Sequence, residues 1–176
     1  MNYYGERICL SGLLEEDLPA LLNWINEREL VIFNAPYHPV SEAHHRGWFE
    51  ALANRSDIVL FGIRHNEANR LVGTCQLHAI HPVHRSAELQ IRIGDAEFRG
   101  RGYGTEAVSL LLRFAFHDLN LNRVYLHVFE TNGVAIGLYE KFGFMREGIL
   151  RQAAHIDGTY VDVVVMGLLR AEYEQA

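Results

Sequence analysis

Cysteine is scarce: Cys9 and Cys75 are the whole supply, each inside an apolar stretch. That excludes a disulfide framework or a cysteine-built metal centre, and predicts reduced, buried thiols in a cytosolic protein. Basic charge is also short, with 16 Lys and Arg against 22 Asp and Glu and a net charge of −6. A nucleic-acid partner held by bulk electrostatics is thereby excluded, and any anion must be gripped locally. No run approaches the ~18 apolar residues of a membrane span, so no membrane partner is expected. The opening MNYYGERICL lacks a basic segment followed by an apolar core. Repeats, low-complexity segments and linkers are missing too. The expectation is a soluble, cytoplasmic protein of one domain, residues 1–176, whose 49% hydrophobic content can fill a core.

What is there divides into helical and β-rich stretches. Arg7 to Leu13 reads as a first strand, and LEEDLPALLNWINE as a helix with Leu18, Leu21, Leu22 and Ile25 at helical spacing. After a loop containing NAPYHP, Ser41 caps SEAHHRGWFEALA, with Trp48, Phe49 and Leu52 as its expected buried face. IVLFGIR, LVGTCQLHAI and AELQIRI then read as an antiparallel meander with short polar turns. A glycine loop, a helix over about 104–118, the strand RVYLHVFE and the short helix VAIGLYEKF follow. MREGILRQAAHI and YVDVVVMGLL close the chain as a hairpin hinged at Asp157-Gly158. The fold class is α+β.

The glycine loop, FRGRGYGT over 98–105, puts three glycines and two arginines ahead of a helix. Its amides and the helix N-terminus can donate to phosphate oxygens, and the missing Cβ atoms allow close approach. A nucleotide P-loop is excluded because GxxxxGK[ST] is absent. Gly102 to Ala107 does fit the G-x-G-x-x-A of a dinucleotide site, and Glu130 ends the next strand. A dinucleotide domain, however, opens with that motif and needs several βαβ units after it, whereas here two helices and a meander come first. A plain glycine-rich turn would leave Arg99 and Arg101 unexplained.

The third owner of such a loop is acyl-coenzyme A. Arg99-Gly100-Arg101-Gly102-Tyr103-Gly104 matches [R/Q]-x-x-G-x-[G/A], with AELQIRI before it and Asn132, Ala135 and LYEKFGF after it. In this order the motifs resemble the GNAT superfamily of N-acetyltransferases, and the closing hairpin resembles the branch of ribosomal-protein N-terminal and spermidine acetyltransferases. The resemblance covers nearly the whole chain, most strongly from Leu71 to Leu169. It implies a GNAT fold: a mixed, largely antiparallel central sheet with splayed middle strands, flanked by helices. It implies acetyl-CoA as donor and no metal. Amides from about Arg101 to Thr105 would hold the pyrophosphate, with Arg99 and Arg101 supplying charge. Backbone around Gln90, Ile91 and Arg92 would pair with the pantetheine arm, and Asn132 would bond its amides, although an asparagine there also reads as a helix cap.

Transfer to a primary amine sets further demands. An alkylammonium with pKa near ~10 must lose a proton to a base, and the leaving thiolate must gain one. By resemblance Tyr139 is the acid, and its phenol stays protonated at neutral pH. Glu88 matches a carboxylate beside the acceptor and shares a strand face with Gln90 and Arg92. A solvent-facing or Arg85-paired role for Glu88, Glu130 as base, and a water chain all stay open. The absence of a nucleophilic cysteine near the loop favours direct ternary-complex transfer over an acetyl-enzyme. His44-His45 and His78, His81, His84 lack metal-ligand spacing and read as solvated or capping residues. NAPYHPVSEAHHRGW has Glu42 as its one acid, which suits a peptide N-terminus or a neutral or anionic small-molecule amine better than a polyamine. A polyamine acetyltransferase and a non-catalytic acyl-CoA sensing domain are the alternatives, and a homodimer is expected by resemblance.

Overall fold

Alternation at period two shapes the strands. In β6 (Arg123–Phe129), Val124, Leu126 and Val128 are buried while Arg123, Tyr125 and His127 face the other way. A computed structural model describes residues 1–32 and 38–175. In chain order come β1 (Tyr3–Tyr4), β2 (Ile8–Ser11), α1 (Leu18–Asn26), α2 (Arg28–Val31), α3 (Glu42–Leu52), β3 (Val59–His65), β4 (Arg70–His81) and β5 (Ser86–Ile93). After these follow α4 (Tyr103–Arg113), β6, α5 (Gly133–Lys141), β7 (Met145–Ile156), β8 (Thr159–Leu169) and α6 (Arg170–Tyr173). The strand order is β1-β2-β3-β4-β5-β6-β8-β7. Strands β1–β2, β2–β3, β6–β8 and β7–β8 pair antiparallel, and β5–β6 pairs parallel. This is the mixed, largely antiparallel α+β sheet that the sequence leads one to expect. The β5–β6 register spans Ser86↔Arg123 to Glu88↔Tyr125, and both strands run on beyond it.

Two compact units divide the chain: residues 1–76 with 91–110, and residues 77–90 with 111 onward. In the first, Ile8, Leu10, Ile63 and Val72 are fully buried, and Leu21, Trp24, Leu30 and Leu71 form a cluster on which Leu13 and Ala20 pack. Inside this apolar setting lies an ion pair, Arg64 to Asp17 at 2.6 Å, with the two side chains 9% and 4% exposed. Two further bonds support it: Ser11 Oγ accepts from Arg64 Nε at 3.0 Å, and the Leu14 amide donates to Asp17 at 2.8 Å. A buried charge persists only under such pairing. The second unit buries Leu77, Ala87, Leu111, Leu112, Phe116, Leu126, Met166 and Leu168. Its hairpin closes where expected, since Asp157 (φ 48°) and Gly158 (φ 81°) both take the positive φ of a two-residue hairpin turn.

Several expectations need correction. The first strand is shorter than Arg7 to Leu13 and is preceded by β1. In α1 the buried stripe is Leu18, Leu21 and Trp24, at i, i+3 and i+6, while Leu22 and Ile25 are half-buried flanks. Ser41 does cap α3, its Oγ accepting from the His44 amide at 3.2 Å, but the helix buries His45 instead of Trp48, which is 39% exposed. The stripe His45, Phe49, Leu52 follows helical spacing, and His45 stacks on Trp48 with centroids 5.0 Å apart. Burial lowers the His45 pKa, so a solvated His45 is also corrected. The helix expected over 104–118 is α4 followed by a wider π turn, Phe114–Asp118, where the Leu119 amide reaches Phe114 O at 3.0 Å. Cys75 is buried as expected, but Cys9 is only half-buried. Asn34 to Tyr37 of the NAPYHP loop lie outside the described residues. Among the described residues no helix is long and apolar enough to cross a membrane.

Candidate active site

The loop of the first unit is braced at its root before it turns. Arg70 pairs with Asp95 at 2.7 Å and Glu97 at 2.5 Å, and lies over the Phe98 ring. Asp95 accepts from the Glu97 amide at 3.0 Å, fixing a single 3-10 turn, Ala96–Phe98. Arg99 then folds back: Nε donates to Ile93 O at 3.2 Å and Nη2 to Gly94 O at 2.6 Å, with Glu27 3.6 Å away. The guanidinium expected to supply charge is thus largely committed to holding the end of β5.

Beyond this root, Gly100 (φ 71°) and Gly102 (φ 85°) bracket Arg101, and α4 opens at Tyr103. Such alternation of backbone hand turns successive amides into a concave anion nest. The first amides of α4 have no acceptor within the helix, and its N-terminal dipole adds to their pull on a phosphate. A Cβ at Gly102 would stand 3.2 Å from Arg7 Nη2, in a backbone region side chains avoid. Arg101 is exposed, and its guanidinium has no partner among the described residues. The loop therefore fits a pyrophosphate on its own geometry.

Sequence reading missed what holds the loop in place. Glu106 accepts from the amides of Arg7 (2.8 Å) and Ile8 (3.3 Å) and from Arg7 Nε (3.1 Å). Arg7 Nη1 donates to Arg101 O at 2.9 Å, and its guanidinium lies 4.5 Å above the Tyr103 ring. Tyr103 in turn packs edge-on to Phe98 at 5.1 Å and His65 at 5.7 Å. The side chain of Tyr103 is structural, leaving its amide for a ligand. Motif spacing could have flagged Glu106, since it lies inside GYGTE, but no local signal ties it to Arg7.

On β5, Gln90, Ile91 and Arg92 are half-buried. Burial lowers the pKa of Arg92, whose guanidinium has no carboxylate partner among the described residues. Desolvating a cation without an anion is costly, so a site of this kind favours a negative guest.

The second unit assembles three polar side chains across adjacent strands. Glu88 Oε1 lies 2.7 Å from His127 Nδ1, and Glu88 Oε2 lies 4.0 Å from His78 Nε2. Tyr125 meets the His127 ring edge-on at 6.0 Å, and burial raises its pKa. Arg85, proposed as a rival partner of Glu88, donates instead to Asn120 O at 3.0 Å. Glu130 is exposed. Sequence reading also missed His127; alternation in RVYLHVFE puts it on the polar face of β6, but only the β5–β6 register brings it to Glu88.

Tyr139 is 7% exposed on α5 and tilts against Phe144 at 5.7 Å. Burial pushes its phenol up to about 12, and its hydroxyl has no hydrogen-bond partner among the described residues. Asn132 caps α5, with Oδ1 accepting from the Ala135 amide at 3.2 Å, so its carboxamide NH2 is what is left for a ligand. Burial raises both thiols, Cys75 most, which keeps them from acting as nucleophiles. No cluster of three or more His, Cys, Asp or Glu suited to a metal occurs among the described residues.

Comparison with known proteins accords with this chemistry. The profile of the acetyltransferase (GNAT) domain matches residues 7–145. The spermidine N(1)-acetyltransferase of Vibrio cholerae is 33% identical over 173 residues, 96% of each chain. A putative ribosomal N-acetyltransferase of Bacillus subtilis is 36% identical over 104 residues, 59% of this chain and 56% of the relative. The crystal structure of the Vibrio cholerae spermidine N-acetyltransferase in complex with CoA and spermine superimposes with a TM-score of 0.89 at 31% identity, covering 97% of this chain and 99% of that one.

Proposed function

The chain belongs to the GNAT family of acetyltransferases, and from that premise we propose that it passes the acetyl group of acetyl-CoA to a primary amine in a direct ternary complex. The amides of Arg101 to Thr105 hold the donor's pyrophosphate, helped by Arg101 more than by Arg99. Backbone at Gln90, Ile91 and Arg92 pairs with the pantetheine arm, and the Asn132 carboxamide donates to it. Glu88 serves the deprotonation of the amine, directly or through a neighbouring group, and Tyr139 protonates the departing thiolate. The observation that carries this reading is Tyr139: a buried phenol held up to about 12 is a proton donor throughout the neutral range, and burial strengthens its field on a developing thiolate.

Two acceptor readings have separate support. An amine on a neutral or anionic body, or a peptide N-terminus, suits the unpartnered Arg92, the exposed Arg46 and His44, and the single acid Glu42 in 34–48. A polyamine is supported by the Vibrio cholerae relative, which is similar over almost its whole length and named for spermidine. Acetyl-CoA-dependent thiol release across spermidine, N-terminal peptides and amino sugars separates them. The first reading predicts higher kcat/KM for neutral or anionic amines; a clear preference for spermidine overturns it in favour of the second.

The same proposal takes residues 1–176 as one catalytic domain acting in the cytoplasm. It includes a homodimer, for which the apolar residues Met145, Ile149 and Leu150 exposed along β7 offer surface.

A further inference from the structure

Resting on the acetyl-transfer reading, we propose that His127 takes the proton of the acceptor amine and that Glu88 is its positioning partner. The geometry has the form of a carboxylate–imidazole dyad. At 2.7 Å, Glu88 Oε1 accepts from Nδ1–H of a neutral His127, which leaves Nε2 with a free lone pair. The carboxylate is the more enclosed of the two, 21% exposed against 38% for the imidazole, and one of its oxygens is already engaged by the imidazole. As classes, an imidazole (~6.5) is also nearer in basicity to an alkylammonium (~10) than a carboxylate (~4.3) is.

The groups facing His127 are few. From β5 comes Glu88, with His78 of β4 behind it at 4.0 Å; on β6 itself stands Tyr125; across the ladder β8 presents the apolar Val165. Among the described residues, then, Glu88 is the one acid set against the imidazole ring, where its charge lies beside the positive charge that proton transfer places there.

The steps balance. His127 Nε2 takes one proton from the ammonium, freeing the nitrogen lone pair. That nitrogen attacks the thioester carbonyl, an N–C bond forms, and the C–S bond breaks. Tyr139 gives its proton to the thiolate and recovers one from the new amide nitrogen. The imidazolium releases its proton to solvent, so the net products are the acetamide, the free thiol and one proton.

The test pairs kinetics with nitrogen-15 NMR of the free protein. His127→Gln is expected to lower kcat/KM roughly 10²- to 10⁴-fold and to erase the acid limb of its pH profile. Glu88→Gln is expected to keep that limb with a smaller fall in kcat/KM, because the imidazole stays and only the carboxylate that orients it is lost. In the spectrum, neutral His127 should carry its hydrogen on Nδ1. An intact limb in His127→Gln, or a neutral His127 protonated on Nε2, overturns the assignment. If the wild type turns over no amine at all, the acetyl-transfer reading falls, while the tautomer still decides the dyad.

Discussion

The loop over Arg99 to Thr105 and the set of side chains proposed for the transfer, Glu88, His127 and Tyr139, are made in opposite ways. The loop is local in chain order, and its proposed hold on a pyrophosphate is a matter of backbone: two positive-φ glycines and the opening amides of α4. Side chains there serve as braces: Arg7 is bonded to Glu106 and to Arg101 O, Arg70 to Asp95 and Glu97, and Arg99 to the carbonyls of Ile93 and Gly94. In the proposed transfer the backbone is only a support, and side chains from separate elements carry the roles. A motif reveals the first kind of site; the second depends on register.

The contrast predicts where substitutions act. Tyr139→Phe removes the proposed proton donor and leaves the loop alone, so kcat should fall by roughly 10²- to 10⁴-fold with the CoA dissociation constant unchanged by calorimetry. Because burial raises this phenol to about 12, the wild-type rate should show no loss from its ionisation below that pH. A weakened CoA affinity in Tyr139→Phe would blur the division between the two regions.

Next in size is the scaffold of the loop's own unit. Arg64→Met leaves Asp17 charged and buried without its partner, a change that costs about 3–5 kcal/mol in comparable pairs and should appear as a large drop in Tm. Glu106→Gln is milder. It weakens the clasp on Arg7 by about 1 kcal/mol, and the pair is partly exposed, so acetyl-CoA KM should rise by up to about fivefold while kcat holds. A fall in kcat with constant KM would place Glu106 in the chemistry instead.

The smallest effect is a pH dependence of stability. A hydrogen bond from Arg123, and its charge, hold Glu147 below the usual carboxylate range. A depressed acid contributes stability above its unfolded pKa and loses it as pH falls through the folded value. The pair is about one-third exposed, so the contribution is under about 1 kcal/mol. Thermal melts from neutral to acid pH should therefore flatten slightly in Glu147→Gln, and high salt should shrink the difference.

Legibility followed the same line. The meander, the hairpin turn at Asp157-Gly158 and the loop all rest on local chemistry, namely alternation, positive-φ residues and glycine spacing, and each is where the residues imply. Trp48 and His45 exchanged places because a helical stripe leaves its buried end to packing that periodicity does not encode. The pairings of Arg7 with Glu106 and of His127 with Glu88 were invisible because the partners are distant in sequence, 99 residues apart for the first and 39 for the second. Asn132 was readable as a helix cap as well as a candidate ligand donor, and the cap is what its side-chain oxygen performs.

Initial rates of thiol release, measured with acetyl-CoA and an accepted amine both varied, test direct transfer at its root. The account predicts release that requires the amine, double-reciprocal lines that intersect, and no acetyl group retained on the protein. Parallel lines with an acetylated protein, or release indifferent to the amine, would contradict it.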